Sequence, residues 1–165
     1  MRFREFVALA AALTTAACVQ IGGSEPAAEI AGDGEVAFTM AGQGGAAIVV
    51  PVEINGTGPY QLVLDTGATM TCLDRGLVER LELPKPVGMV GYGATIGQAG
   101  AVSLHRIDTL AVGGITAKRL NACALDLQSV RKVGLEVDGL LGLNFLRSFR
   151  VTLDFKRNVL TLSPA

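Results

Sequence analysis

The stretch Leu62-Val63-Leu64-Asp65-Thr66-Gly67-Ala68-Thr69 decides how this chain is read. Apolar residues following Tyr60 and Gln61 describe a strand, and the strand ends in an Asp that enters a tight turn. Gly67 has no side chain, so another backbone or a substrate can approach closely. Thr66 offers a hydroxyl that can lock a neighbouring loop. Asp and Gly are the commonest turn residues, so a bare Asp-Thr-Gly would describe only a turn. The apolar lead and the following Ala68-Thr69 make the string specific.

Upstream, residues 35–40 form a short strand that Gly42 to Gly45 break. Ala47 to Ile54 is a β-branched run in which Pro51 predicts an edge or bulged strand. Asn55-Gly56 predicts the turn back into Tyr60–Asp65. Asn55-Gly56-Thr57 also fits a glycosylation acceptor, but the turn reading takes precedence. Downstream, Leu73, Leu77, Val78 and Leu81 share one helical face, and Thr71 with Asp74 fits a capping box, so the spacing predicts a helix over 71–83. Gly76 weakens that helix by about 1 kcal/mol, and Pro84 and Pro86 end it. Residues 87–94 and 101–110 flank a centre containing Gly91, Gly93, Gly97 and Gly100, which predicts a long mobile hairpin. Gly113-Gly114 is a turn, residues 115–127 hold one or two strands, and residues 137–149 hold a short helix. Residues 151–155 and 159–162 alternate around the polar turn Lys156-Arg157-Asn158. The sum is a mainly β domain with one or two short helices.

Composition removes several function classes. The 165 residues suit one domain. Lys and Arg total 14 against 15 Asp and Glu, with no basic run, so nothing favours nucleic acid. Half the residues are hydrophobic, which excludes a disordered chain. One His and three Cys without a Cys-x-x-Cys give no structural zinc site, and no metal or other cofactor is expected. Gly91-Tyr92-Gly93-Ala94-Thr95-Ile96-Gly97 is one residue too long for a dinucleotide fingerprint, and no helical pattern follows it. No G-x-S-x-G elbow exists. His105, on a predicted strand, reads as a half-exposed surface residue rather than a catalytic base. Asp65-Thr66-Gly67 remains.

The N-terminus reads as an export signal. Arg2 and Arg4 precede an apolar stretch of about 12 residues, roughly 18 Å as a helix and too short for a bilayer core of about 30 Å. Thr15-Ala16-Ala17-Cys18 is similar to a bacterial lipobox, with Thr15 where Leu is usual. The expectation is a signal peptide over residues 1–18 with lipidation of Cys18, plain secretion and an uncleaved anchor being the alternatives. Residues 19–34, small, polar and Gly/Pro-punctuated, are expected to be a flexible tether, with the functional domain over 35–165. The place is the periplasmic side of a bacterial envelope.

In this setting the chain resembles the retropepsin-like aspartic proteases, specifically their single-lobe bacterial and cellular branch, over roughly residues 46–162. The likeness rests on Leu62–Thr69, on Val137-Asp138-Gly139-Leu140-Leu141-Gly142-Leu143-Asn144-Phe145-Leu146, and on the closing hairpin, Phe149–Phe155 with Val159–Leu162. Retroviral members usually carry an Asp where Thr69 stands and an Arg where Leu143 stands. Both are missing here, so no charge is left without its partner.

The resemblance implies a single acid-protease lobe, a closed β-barrel-like domain with a flap hairpin, and catalysis by Asp65. Peptide hydrolysis of this type needs two carboxylates, one to deprotonate water and one to protonate the carbonyl oxygen. Asp108-Thr109 is followed by Leu110, so it is no second copy, and Asp138-Gly139 is implied as scaffold beside the active loop. The missing Asp must come from a second molecule, which implies a C2 homodimer acting on peptide or protein substrates. Thr66 and Gly67 would support the loop. Gly67, Ala68, Gly91, Tyr92 and Gly93 would contact substrate, although Tyr92 could equally pack on the flap's outer face. The C-terminal strand could add to the dimer interface. With Cys18 lipidated, Cys72 and Cys123 are left either as a disulfide or as two buried thiols. A non-catalytic peptide-binding or dimerisation module on the same fold is the competing function.

Overall fold

The structure, a computed structural model, describes residues 28–85, 91–95, 98–132 and 134–165. Three short strands come first, β1 (Glu29–Ala31), β2 (Gly34–Ala37) and β3 (Thr39–Ala41). The long pair β4 (Ala47–Ile54) and β5 (Thr57–Leu64) follows, joined at Asn55 and Gly56. Both turn residues have positive φ, 50° and 75°, giving the two-residue turn whose twist suits an antiparallel pair. Next come β6 (Cys72–Asp74), α1 (Arg75–Arg80), β7 (Gly91–Thr95), β8 (Gln98–Val102), β9 (Leu104–Val112) and β10 (Ile115–Leu125). The chain ends with α2 (Gln128–Arg131), β11 (Gly139–Leu141), α3 (Leu143–Leu146), β12 (Phe149–Asp154) and β13 (Val159–Pro164). Among the described residues no helix is long and apolar enough to cross a membrane.

Six strands close on themselves in the order β10-β6-β11-β5-β4-β9 and back to β10. The short ladder Glu53↔Ala111 and Ile54↔Leu110 completes the ring. Inside lie Val50, Val52, Ile54, Leu62, Leu73, Ile107, Leu110, Leu120 and Leu141, with Phe145 of α3 packed into the same core. Closure removes the open edges that a flat sheet would expose. A second sheet, β12-β13-β2, packs its Leu160 and Leu162 into this core, and β7 with β8 forms a two-stranded sheet of its own. This is the mainly β, single-lobe architecture expected, but the hairpin is shorter than its expected arms of 87–94 and 101–110: β7 pairs with β8 over 91–95 and 98–102, and residues 104–112 are the barrel strand β9, held by β10 and β4; residues 87–90 lie outside the described residues.

Several local expectations are corrected. The helix expected over 71–83 starts at Arg75; Cys72–Asp74 is a strand instead. Asp74 is itself the N-cap, its carboxylate accepting from the Gly76 N–H at 3.2 Å. The apolar spacing misled because Leu73 is buried from the barrel wall while only Leu77 and Val78 are buried from the helix. The tether expected over 19–34 does not hold at its end: β1 pairs with β10, and Gly34 begins β2, which pairs with β13. Residues 19–27 and the signal segment lie outside the described residues.

Pro51 is not on an edge strand. β4 pairs with β5 on one side, with a register shift between Val52 and Ile54. On the other side it pairs with β3 up to Val49 and with β9 from Glu53, so Pro51 falls where neither ladder needs its missing N–H. Residues 115–125 are one strand whose inward alternation switches between Ala117 and Leu120, around Arg119 with φ 56°. The C-terminal strand β13 is central in its sheet, flanked by β12 and β2, so both its edges are taken within the chain.

Candidate active site

Asp65 is placed by the strand before it. Leu62, Val63 and Leu64 pair in parallel with Gly139, Leu140 and Leu141, and the Asp65 N–H extends that ladder to the Leu141 carbonyl at 3.1 Å. The chain then turns. The Ala68 N–H reaches the Asp65 carbonyl at 3.4 Å, and the Gly67 N–H donates to Asp65 Oδ1 at 2.8 Å. A Cβ on Gly67 would stand 3.2 Å from that same carboxylate oxygen, tighter than an ordinary contact. Asp65 is half-buried, and Thr66 and Gly67 are exposed at the tip. Asp65 is the one carboxylate on the loop between β5 and β6.

The return arm is fixed from below. β11 runs between β5 and β6, parallel to one and antiparallel to the other, so one strand holds both stems of the loop. The N–H groups of Leu143 and Asn144, at the start of α3, donate to the carbonyls of Ala68 at 2.8 Å and Thr69 at 3.2 Å. Backbone bonds thus tie the return arm to the start of α3 at two successive residues. Thr71 is fully buried. Its hydroxyl donates to Asn144 Oδ1 at 2.9 Å and accepts from the Gly142 N–H at 3.2 Å, while its own N–H donates to Asn144 Oδ1 at 2.7 Å. Asn144 Nδ2 donates in turn to the Asn121 carbonyl at 2.8 Å. Gly142 is required by space: a Cβ there would meet Met70 O at 2.5 Å and Thr71 N at 2.8 Å.

Thr71 and Asn144 are the supporting residues that sequence reading missed. Thr71 was expected to cap a helix, and its partner is distant in sequence. The cue was the Asn that closes Gly142-Leu143-Asn144. Cys72 and Cys123, opposite each other on β6 and β10, are joined by a disulfide next to Thr71. Asp138 braces the same frame: its carboxylate accepts from the Gln61 N–H at 2.8 Å, and its carbonyl accepts from the Asp74 N–H at 2.7 Å. Asp74 accepts from Gly76 and Leu127 and pairs with Arg131 at 3.2 Å.

Asp65, Thr66, Gly67 and Ala68 thus form one anchored turn. Gly91, Tyr92 and Gly93 lie on another element, β7, opposite Val102, Ala101 and Gly100 of β8. His105 is not half-exposed; it is buried on β9, because its ring finds polar partners at both nitrogens. Cys18 lies outside the described residues.

An aspartate on a strand-end turn, braced by a glycine-bearing strand and a short helix, defines an acid-protease lobe. Residues 50–145 match the family model described as aspartyl protease, more than half of the chain, and the protein belongs to that family. The structure is similar to that of a retropepsin-like aspartic protease from Rickettsia conorii, with a TM-score of 0.53 and 18% identity over 82% of this chain and 92% of that one. It is also similar to the retroviral protease-like domain of Ddi1 from Leishmania major, with a TM-score of 0.45 and 17% identity over 72% of this chain and 94% of that one. No curated protein matches the chain in sequence. The fold is retropepsin-like.

Proposed function

We propose that the protein is an aspartic endopeptidase that works as a homodimer, each chain supplying one Asp65. The setting of that carboxyl carries the reading: half-buried, on a turn tied to both β11 and α3, with Oδ1 held by the Gly67 N–H. The acids at the flanking strand ends are engaged elsewhere, Asp138 with Gln61 and Asp74 with Gly76, Leu127 and Arg131. The loop between β5 and β6 holds one carboxylate per chain, and the chemistry needs two.

In the dimer the two carboxyls meet on the two-fold axis. Carboxyls about 3 Å apart cannot both ionise, so they hold one proton between them. The ionised one takes a proton from water as its oxygen attacks the peptide carbonyl carbon. The protonated one donates to the carbonyl oxygen. Collapse of the tetrahedral intermediate breaks the C–N bond, and the amine leaves with a proton from the pair. Thr66 reaches across the axis to fix the two loops. Backbone groups of Gly67 and Ala68, together with Gly91, Tyr92 and Gly93 of the hairpin, hold the substrate as an extended strand. The enzyme is exported to the bacterial envelope and anchored by lipid at Cys18.

The test is Asp65→Asn. The amide keeps an oxygen for the Gly67 N–H, so the fold and its melting temperature stay unchanged while cleavage of an unfolded test protein is lost. Equal cleavage by the variant overturns the proposal. Peptide binding by the wild type without cleavage at any pH would point to a binding module instead.

A further inference from the structure

His105 is the chain's one histidine, and it is only 7% exposed. Its Nδ1 lies 2.9 Å from the Leu83 carbonyl oxygen, and its Nε2 lies 3.2 Å from Ser103 Oγ. A carbonyl oxygen only accepts, so Nδ1 carries the proton and donates. In the neutral ring Nε2 then accepts from the Ser103 hydroxyl. Both nitrogens are occupied.

The positions of the two partners matter more than their number. Leu83 lies eight residues before β7, with residues 86–90 between them outside the described residues, and Ser103 follows β8 directly. Ser103 is the single residue between β8 and β9. Beside the ring, the Arg106 N–H donates to the Pro84 carbonyl at 2.8 Å, and the Ala124 N–H donates to the Ser103 carbonyl at 3.0 Å. The hairpin is a sheet of its own, and these bonds tie the segments on either side of it to the barrel. Ser103 lies two residues before His105 in the same segment and orients the ring, so the bond to Leu83 is the one that crosses to the segment before the hairpin.

We propose that His105 is a positioning residue that staples the two roots of the hairpin and fixes its pitch on the barrel, and thereby how tightly the hairpin holds a peptide. The last clause rests on the proposed peptidase function; the first does not.

The test uses the full chain and two readouts, amide hydrogen exchange and steady-state peptide cleavage. Ser103→Ala removes the Nε2 contact at an exposed residue and leaves the core intact. His105→Asn keeps a donor near the Nδ1 position for the Leu83 carbonyl, and His105→Leu removes both arms. For Ser103→Ala and His105→Asn, exchange over residues 91–102 should quicken by about fivefold, the worth of one neutral hydrogen bond, with β4 and β5 unchanged. KM should rise by a similar factor while kcat and its pH profile stay within about twofold. His105→Leu should do more of both. Unchanged exchange in the hairpin, or equal acceleration throughout the barrel, overturns the proposal. A loosened hairpin with unchanged KM overturns its peptide-holding clause. If the wild type cuts nothing, the peptidase reading fails and the exchange result still decides the staple.

Discussion

Replacing Thr71 by valine tests whether the Asp65 loop is held by the hydroxyl that joins it to α3. Valine keeps the shape and loses the oxygen. Thr71 is fully buried, and its hydroxyl makes two bonds, to Asn144 Oδ1 at 2.9 Å and from the Gly142 N–H at 3.2 Å. Asn144 Oδ1 retains the Thr71 N–H at 2.7 Å, so that acceptor is not stranded. The Gly142 N–H is stranded, in a place where water does not reach. One lost bond plus one buried unsatisfied donor amounts to about 2–4 kcal/mol. For a domain of this size that corresponds to a fall in melting temperature of about 10 °C. Thr71→Ser keeps both bonds and loses one buried methyl, about 1 kcal/mol. Urea denaturation of both variants, with the slope unchanged, measures the difference. Equal stability of valine variant and wild type, or equal damage from serine and valine, would refute the reasoning.

Three further outcomes are expected. Converting both Cys72 and Cys123 to alanine should cost about 2–4 kcal/mol, because their disulfide spans 51 residues, and a reductant should lower wild-type stability while leaving the variant unmoved. Gly142→Ala should displace the loop, since its Cβ would meet Met70 O at 2.5 Å, and should show as shifted amide resonances over residues 65–71 with reduced cleavage. The Arg119 guanidinium, hydrogen-bonded to Glu29 at 2.6 Å, holds the Glu29 carboxyl below its ordinary value of 4.5. A lowered folded value means stability present above the ordinary value and lost as pH falls through the folded one. NMR titration should place the Glu29 midpoint below 4.5, and Arg119→Gln should raise it.

The Asp65 turn was legible because its signals are local. Apolar strand, Asp, Thr and Gly stand in one string, and the Asn55-Gly56 turn needs only its own two residues. The frame around the turn was not legible, because it is built from distant partners. Thr71 reads as a cap until Asn144 is brought beneath it. His105 reads as a surface residue until Leu83 and Ser103 supply partners for both nitrogens. Leu73 joined a helical pattern by spacing alone, although the barrel claims it as a strand residue. Pro51 suggested an edge or a bulge; β4 is no edge strand, but its register does shift just beyond Pro51, between Val52 and Ile54, where two neighbouring ladders leave a gap. Burial in β10 switches sides near Arg119, so the run read as one strand or two.

The central claim is that half a catalytic centre resides in each chain. Mixing wild-type and Asp65→Asn chains under conditions of free subunit exchange tests it most directly. If both carboxylates are needed, activity follows the square of the wild-type fraction, and an equal mixture retains roughly a quarter of it. Activity that falls in simple proportion, to roughly half, would mean that one Asp65 suffices and would contradict the account.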